Sequence, residues 1–189
     1  MNAISMHVPK RDEMLWPIDL FDQEDDQQLD SRWWVVHTKS RAEKALGRQL
    51  TVQSVAHFLP LFERRRRVQR RVVQTHPPLF PGYVFMKCDD YGRRKALETN
   101  LIANCIWIED QAAIWSDMLQ ICALVESGVQ LAPEARLSPG KPARIISGPL
   151  QGMEGVVLKQ RNAFRFVVAV HFLQQGASVE VDDCMLEPI

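Results

Sequence analysis

Four cysteines in 189 residues, Cys88, Cys105, Cys122 and Cys184, form no CxxC pair, and no histidine stands beside them at ligand spacing. That pattern excludes a zinc knuckle and gives no disulfide framework, so the thiols read as free groups in a reducing cytosol. No apolar run approaches the roughly 20 residues that a helix needs to cross a bilayer. Residues 1–31 also lack the apolar core of a secretory signal, and the expected location is cytoplasmic, with no membrane partner. His7, His37, His57, His76 and His171 are scattered, with no HExxH helix and no GxSxG elbow. Gly148 to Gly152 (GPLQG) is too short for a phosphate loop and lacks its Lys-Ser/Thr. No catalytic residue, metal site or cofactor is expected, and the chain reads as a binding protein rather than an enzyme.

Net charge is absent too, but the zero is a sum of unlike parts. Residues 1–31 hold eight acidic and two basic side chains, net −6; residues 32–136 hold sixteen basic and ten acidic, net +6; residues 137–189 balance at five and five. A basic middle attracts polyanions over about a Debye length, roughly 8 Å at physiological salt.

The acidic, Gln-rich residues 1–31 show no period that could bury a face and read as a disordered tail. The alternative is a short docking motif around Met14 to Phe21, anchored by Trp16 and Phe21. Trp33 to Thr38 is β-rich and of strand length. Ser40 and Glu43 have the spacing of a capping box, followed by an apolar stripe of Ala42, Ala45, Leu46 and Leu50. Val55 to Phe62 reads as a strand bent or edged by Pro60. Glu63 to Gln74 reads as an arginine-loaded hairpin or loop, which Pro77 and Pro78 end. A strand at Tyr83 to Lys87, a helix at Tyr91 to Thr99, a strand at Cys105 to Ile108 and a helix at Ser116 to Glu126 complete a sheet with helices packed on it. Residues 128–139, with two prolines, suit a linker. Beyond them, short strands at Ala143 to Ile146, Gly155 to Lys159, Phe164 to His171 and Val179 to Val181 predict a small antiparallel barrel. FRFVVAV and four glycines between Gly140 and Gly155 disfavour helix there.

Three phrases occur in order: WWVVHTKS at Trp33 to Ser40, PPLFPGYVFMKCDD at Pro77 to Asp90, and GKPARIISGPLQGMEGVV at Gly140 to Val157. Together they resemble the NusG/RfaH family of transcription elongation factors, in a version closer to a specialised paralogue than to the general factor. The resemblance implies an α+β chain: a disordered acidic tail (1–31), a NusG-like amino-terminal α/β sandwich (32–127), a linker (128–139) and an antiparallel KOW β-barrel (140–189). It also implies a monomer that binds RNA polymerase and suppresses pausing or termination. The rival reading is a ribosome- or RNA-binding KOW protein, which the neutral last segment disfavours.

By position, the resemblance carries a patch for the clamp helices of the polymerase largest subunit onto His37, Phe80, Tyr83, Phe85 and Ile108, with Leu119 at its edge. The bland alternative for Phe80 and Phe85 is an ordinary core. Arg64, Arg65, Arg66, Arg67, Arg70 and Arg71, six arginines in eight positions, suit phosphate forks, and the resemblance sets them near DNA at the transcription bubble. Arg93, Arg94 and Lys95 replace the His-Thr-Thr element of the RfaH branch, leaving contact with non-template phosphates. Phe172 sits where relatives meet the ribosomal protein NusE or the termination factor Rho.

Overall fold

The structure, a computed structural model, describes residues 10–22, 31–69, 71–159, 164–182 and 185–189. Two compact units divide the chain, one of Pro9–Arg64 with Thr75–Trp115 and the other of Arg65–Gln74 with Ser116–Ile189. The elements of the first two-thirds are α1 (Arg11–Met14), β1 (Leu15–Trp16), β2 (Arg32–Thr38), α2 (Glu43–Val52), β3 (Ala56–Phe58), β4 (Arg64–Val68), β5 (Arg71–Thr75), β6 (Tyr83–Cys88), α3 (Asp90–Glu98), β7 (Ile102–Trp107) and α4 (Gln111–Glu126).

In the first unit five strands form an antiparallel sheet in the order β1-β3-β6-β2-β7. β6 is its central strand, and β2 lies between β6 and β7, where Trp33, Trp34, Val35 and Val36 supply the aromatic and β-branched side chains that fill a pleated surface. Register sets Leu15, Phe58, Phe85, Val35 and Ile106 in one row across one face, and Trp16, His57, Met86, Trp34 and Trp107 across the other. Helices α2 and α3 lie on the second face: a Cβ built at Gly47 would stand 3.5 Å from the His57 ring, and the Arg93 guanidinium lies 5.2 Å from the Trp34 ring centroid. β3 stops at Phe58, two residues before Pro60, as the missing N–H requires.

Two expectations for this unit are corrected. Residues 10–22, read as disordered tail, are folded: Met14 and Leu15 are buried, β1 pairs with β3, and the Leu59 amide donates to the Met14 carbonyl at 2.7 Å. A strand of two residues and a helix of four carry no period for the eye to find. The Ser40–Glu43 capping box is not formed either. Helix α2 begins at Glu43 with Ala42 as a cap that makes no side-chain bond, because the Glu43 carboxylate is engaged elsewhere.

His57 is buried, and its Nδ1 donates to the Val55 carbonyl at 3.0 Å. Burial pushes its pKa below the ordinary imidazole value, and the Val55 bond opposes that only in part. A base with a depressed folded pKa contributes stability that is complete above its unfolded value, about 6.5, and is lost as pH falls below it, since the unfolded chain takes the proton first. Urea midpoints are therefore expected to fall between about pH 7.5 and pH 5.5, and less so in His57→Gln.

In the second unit the chain continues as β8 (Ala132–Glu134), β9 (Lys141–Ile145), β10 (Glu154–Lys159), β11 (Phe164–Val170), β12 (Gln175–Val181) and β13 (Leu186–Pro188), one sheet in the order β13-β9-β10-β11-β12-β8. Phe166, Val168, Val170, Ala177 and Ile145 form its core. Gly155 allows β10 to approach β11, since a Cβ there would fall 2.5 Å from the Val167 carbonyl oxygen. The β-rich reading of FRFVVAV holds, as β11, but two details change. Among the described residues the sheet is open, with β13 and β8 as its edges, where a closed barrel was expected. The stretch expected as linker supplies β8, held by Gly176↔Glu134, Ala177↔Pro133 and Ser178↔Ala132; Ser178 and Arg165 both bond the Glu134 carboxylate, at 2.6 and 3.0 Å. Asp117 of α4 is buried and accepts from the backbone amide of His171 at 2.8 Å and meets its Nδ1 at 2.9 Å.

Candidate functional site

The Phe-Pro-Gly turn is fixed by its backbone conformation and by one buried side chain. Gly82 has φ +87°, a conformation that side chains rarely adopt, and three bonds fix it. The Gly82 amide donates to Glu43 Oε1 at 2.7 Å, the Thr38 amide to the Gly82 carbonyl at 2.8 Å, and the Tyr83 amide to the Phe80 carbonyl at 3.1 Å. Glu43 is buried and reaches the turn from the start of α2. The locked turn delivers Tyr83 opposite His37 across β2 and β6, with ring centroids 5.2 Å apart and planes tilted 36°. A Cβ at position 82 would meet the His37 ring at 3.5 Å, an ordinary contact, so the positive φ rather than lack of space calls for glycine.

Of the six residues expected in one patch, five belong to this unit, His37, Tyr83, Phe80 and Phe85 are linked by register, ring contacts or backbone bonds, and only two of the five are accessible. His37 is exposed and Tyr83 half-buried, whereas Phe80, Phe85 and Ile108 are buried at 1, 0 and 4 % exposure. The open patch is corrected on that point: Phe85 packs against Phe58 at 6.4 Å and edge-on to Phe80 at 6.0 Å, so these rings are the floor beneath His37 and Tyr83. Leu119 belongs to the second unit, half-buried with Gln120 and Ala123 beside Pro149 to Glu154.

Along the same face an aromatic cluster lies where no motif announced one. Phe21 stacks on Trp33 at 5.9 Å, meets Phe58 edge-on at 5.1 Å and lies 5.3 Å from Trp115. The Lys87 ammonium stands 5.4 Å over the Trp115 ring. Gln111 ties the start of α4 to β2, accepting from the Trp33 amide at 2.6 Å and donating to its carbonyl at 3.1 Å. The advance signals were Trp33, at the head of the first phrase, and Phe21 as a possible anchor; Gln111 and Trp115 gave none, being single residues with distant partners.

The arginines fall on a two-stranded ribbon, β4 with β5, in which Arg64, Arg65, Arg66, Arg67 and Arg71 are all exposed. Arg70 lies outside the described residues. Pairing is closed at its base by Thr75 Oγ1 donating to the Arg64 carbonyl at 3.3 Å. On α3, Arg94 is exposed, Arg93 spans Trp34 and Asp90, and Lys95 lies 4.6 Å over the Tyr91 ring. Phe172 is 44 % exposed in the turn after β11. Cys88 is held inert by burial first, which with nearby Cys105 pushes its thiol up to about 12, and no group of three or more metal-ligating side chains occurs among the described residues.

A family model described as NusG, transcription termination factor nusG, matches residues 31–118, the span that holds the locked turn, the ribbon and four of the five strands of this sheet, β1 lying outside it. The chain carries a NusG-family domain. Comparison with curated protein sequences gives no match. Among solved structures, the chain is similar to the crystal structure of the MjSpt4:Spt5 complex in conformation B, at 10 % identity and a TM-score of 0.27 over 83 % of this chain and 96 % of that one. A likeness at that level adds nothing to the family match.

Proposed function

We propose that the chain is an antitermination factor of the specialised kind, which docks on the clamp helices of RNA polymerase through the face around Tyr83 and His37 and suppresses pausing or termination. The observation that carries this reading is the locked turn. A buried glutamate that accepts from the turn, a positive-φ glycine and two backbone–backbone bonds are spent on holding one tyrosine beside one histidine at the accessible end of an aromatic face. An amphipathic ring with a half-wet hydroxyl suits the rim of an interface. The exposed arginine ribbon supports contact with the DNA backbone at the bubble, since arginine forks phosphate without reading sequence. Arg94 on α3 supports a second phosphate contact. Residues 140–189 are read as a KOW domain despite the open sheet, with Phe172 as the exposed ring available to a partner such as NusE or Rho.

Tyr83→Ala tests the reading. Because Tyr83 is half-buried while Phe80 and Phe85 remain beneath it, the variant should fold and lose about 2 kcal/mol of affinity for core polymerase, near 30-fold. Equal affinity of wild type and variant in a titration with core enzyme removes the assignment.

A further inference from the structure

The aromatic face of the NusG-type domain already has an occupant. Residues 10–22 cross it as a short strap: α1, then the two-residue strand β1 against β3, then two turns closed by the Leu20 amide on the Pro17 carbonyl at 3.1 Å and the Asp22 amide on the Asp19 carbonyl at 2.9 Å. Phe21 then lies on Trp33, Phe58 and Trp115. A bidentate pair closes the loop, Arg11 Nη1 and Nη2 to the two Asp22 carboxylate oxygens at 2.8 and 2.7 Å, and the Asp22 side chain is more than half exposed.

These attachments differ in kind from those of the core. β2 and β6 pair over six register positions, whereas β1 pairs over two. The clasp is a solvent-exposed ion pair, which is weak and screened by salt. Trp33, on which Phe21 stacks, buries its indole Nε1 with no hydrogen-bond partner among the described residues, a deficit that rehydration of the face would remove.

We propose that residues 10–22 are a detachable, self-masking strap: closed, it restricts the docking face to His37 and Tyr83, and released, it extends that face over Trp33 and Phe58 and raises affinity for polymerase. The proposal rests on the docking reading above.

The test uses the full chain and its Arg11→Glu, Asp22→Arg and doubly reversed forms, in which the double change restores the pair with opposite polarity. Two quantities are read: hydrogen exchange of the Leu59 amide, which bonds Met14, against exchange of the Val35 and Phe85 amides, and affinity for core RNA polymerase. The expected result is that Leu59 exchanges ahead of the core amides and that each single reversal speeds it. Each single reversal also tightens polymerase binding roughly tenfold, the gain for a face previously open about a tenth of the time. The double reversal returns both to wild type. If Leu59 exchanges together with Val35 and Phe85 in every form, the segment is core and the proposal is overturned whatever polymerase does. If exchange responds but all forms bind polymerase equally, the mask is overturned and the docking reading stands. If no form binds polymerase, the docking reading falls and the mask falls with it.

Discussion

Phe85→Ala is expected to lower folding stability by about 3–5 kcal/mol, the usual cost of removing a fully buried ring from a core that cannot collapse around the void. Phe85 has no exposed surface, faces Val35 across β2 and Phe58 across β3, and receives Phe80 edge-on. Urea or thermal unfolding reads the effect directly. A loss below about 1 kcal/mol would mean that the site is plastic and that the ring belongs to an adaptable surface. The contrast with Tyr83→Ala is the useful part. Two aromatic residues of one strand, two positions apart on the same face, should separate into a stability defect at Phe85 and a binding defect at Tyr83.

Replacing Arg64, Arg65, Arg66 and Arg67 together with serine is expected to flatten the salt dependence of binding to a transcription bubble. Each phosphate neutralised on a duplex contributes about 0.9 to the slope of log affinity against log salt, so four lost contacts lower it by roughly three to four. Binding to core polymerase without nucleic acid should stay near wild type, because exposed ribbon residues do not form the docking face. Titrations at several salt concentrations decide the matter, and a slope shared by both proteins would reduce the ribbon to a solvated surface.

The parts of this fold legible in the sequence are those with local periodicity or local turn chemistry. Trp33 to Thr38 alternates and is a strand; Phe-Pro-Gly announces a turn and makes one; FRFVVAV is β-branched and becomes β11. What stayed hidden depends on partners far away in the chain. Glu43 stands three residues after Ser40, so the local rule claims it for a capping box, yet a backbone amide 39 residues on takes its carboxylate. β8 is three residues with a proline inside, and its partners on β12 lie 42 to 46 residues later, from Gly176↔Glu134 to Ser178↔Ala132. The site was legible in membership but not in exposure. Period two placed Tyr83 and Phe85 on one face, and only the packing of Phe58 and Phe80 reveals which of them reaches solvent.

The pairing of β1 with β3 also bears on how the protein behaves in company. β1 stands at one edge of the five-stranded sheet, and without it β3 would turn its free carbonyls and amides outward beside the buried rings of Phe58 and Phe85. An uncovered, apolar strand edge is a template for another copy of itself. Met14, Leu15 and Trp16 therefore act as a built-in chaperone for their own sheet, and a chain shortened past Trp16 is expected to be limited by self-association in concentrated solution before it is limited by unfolding.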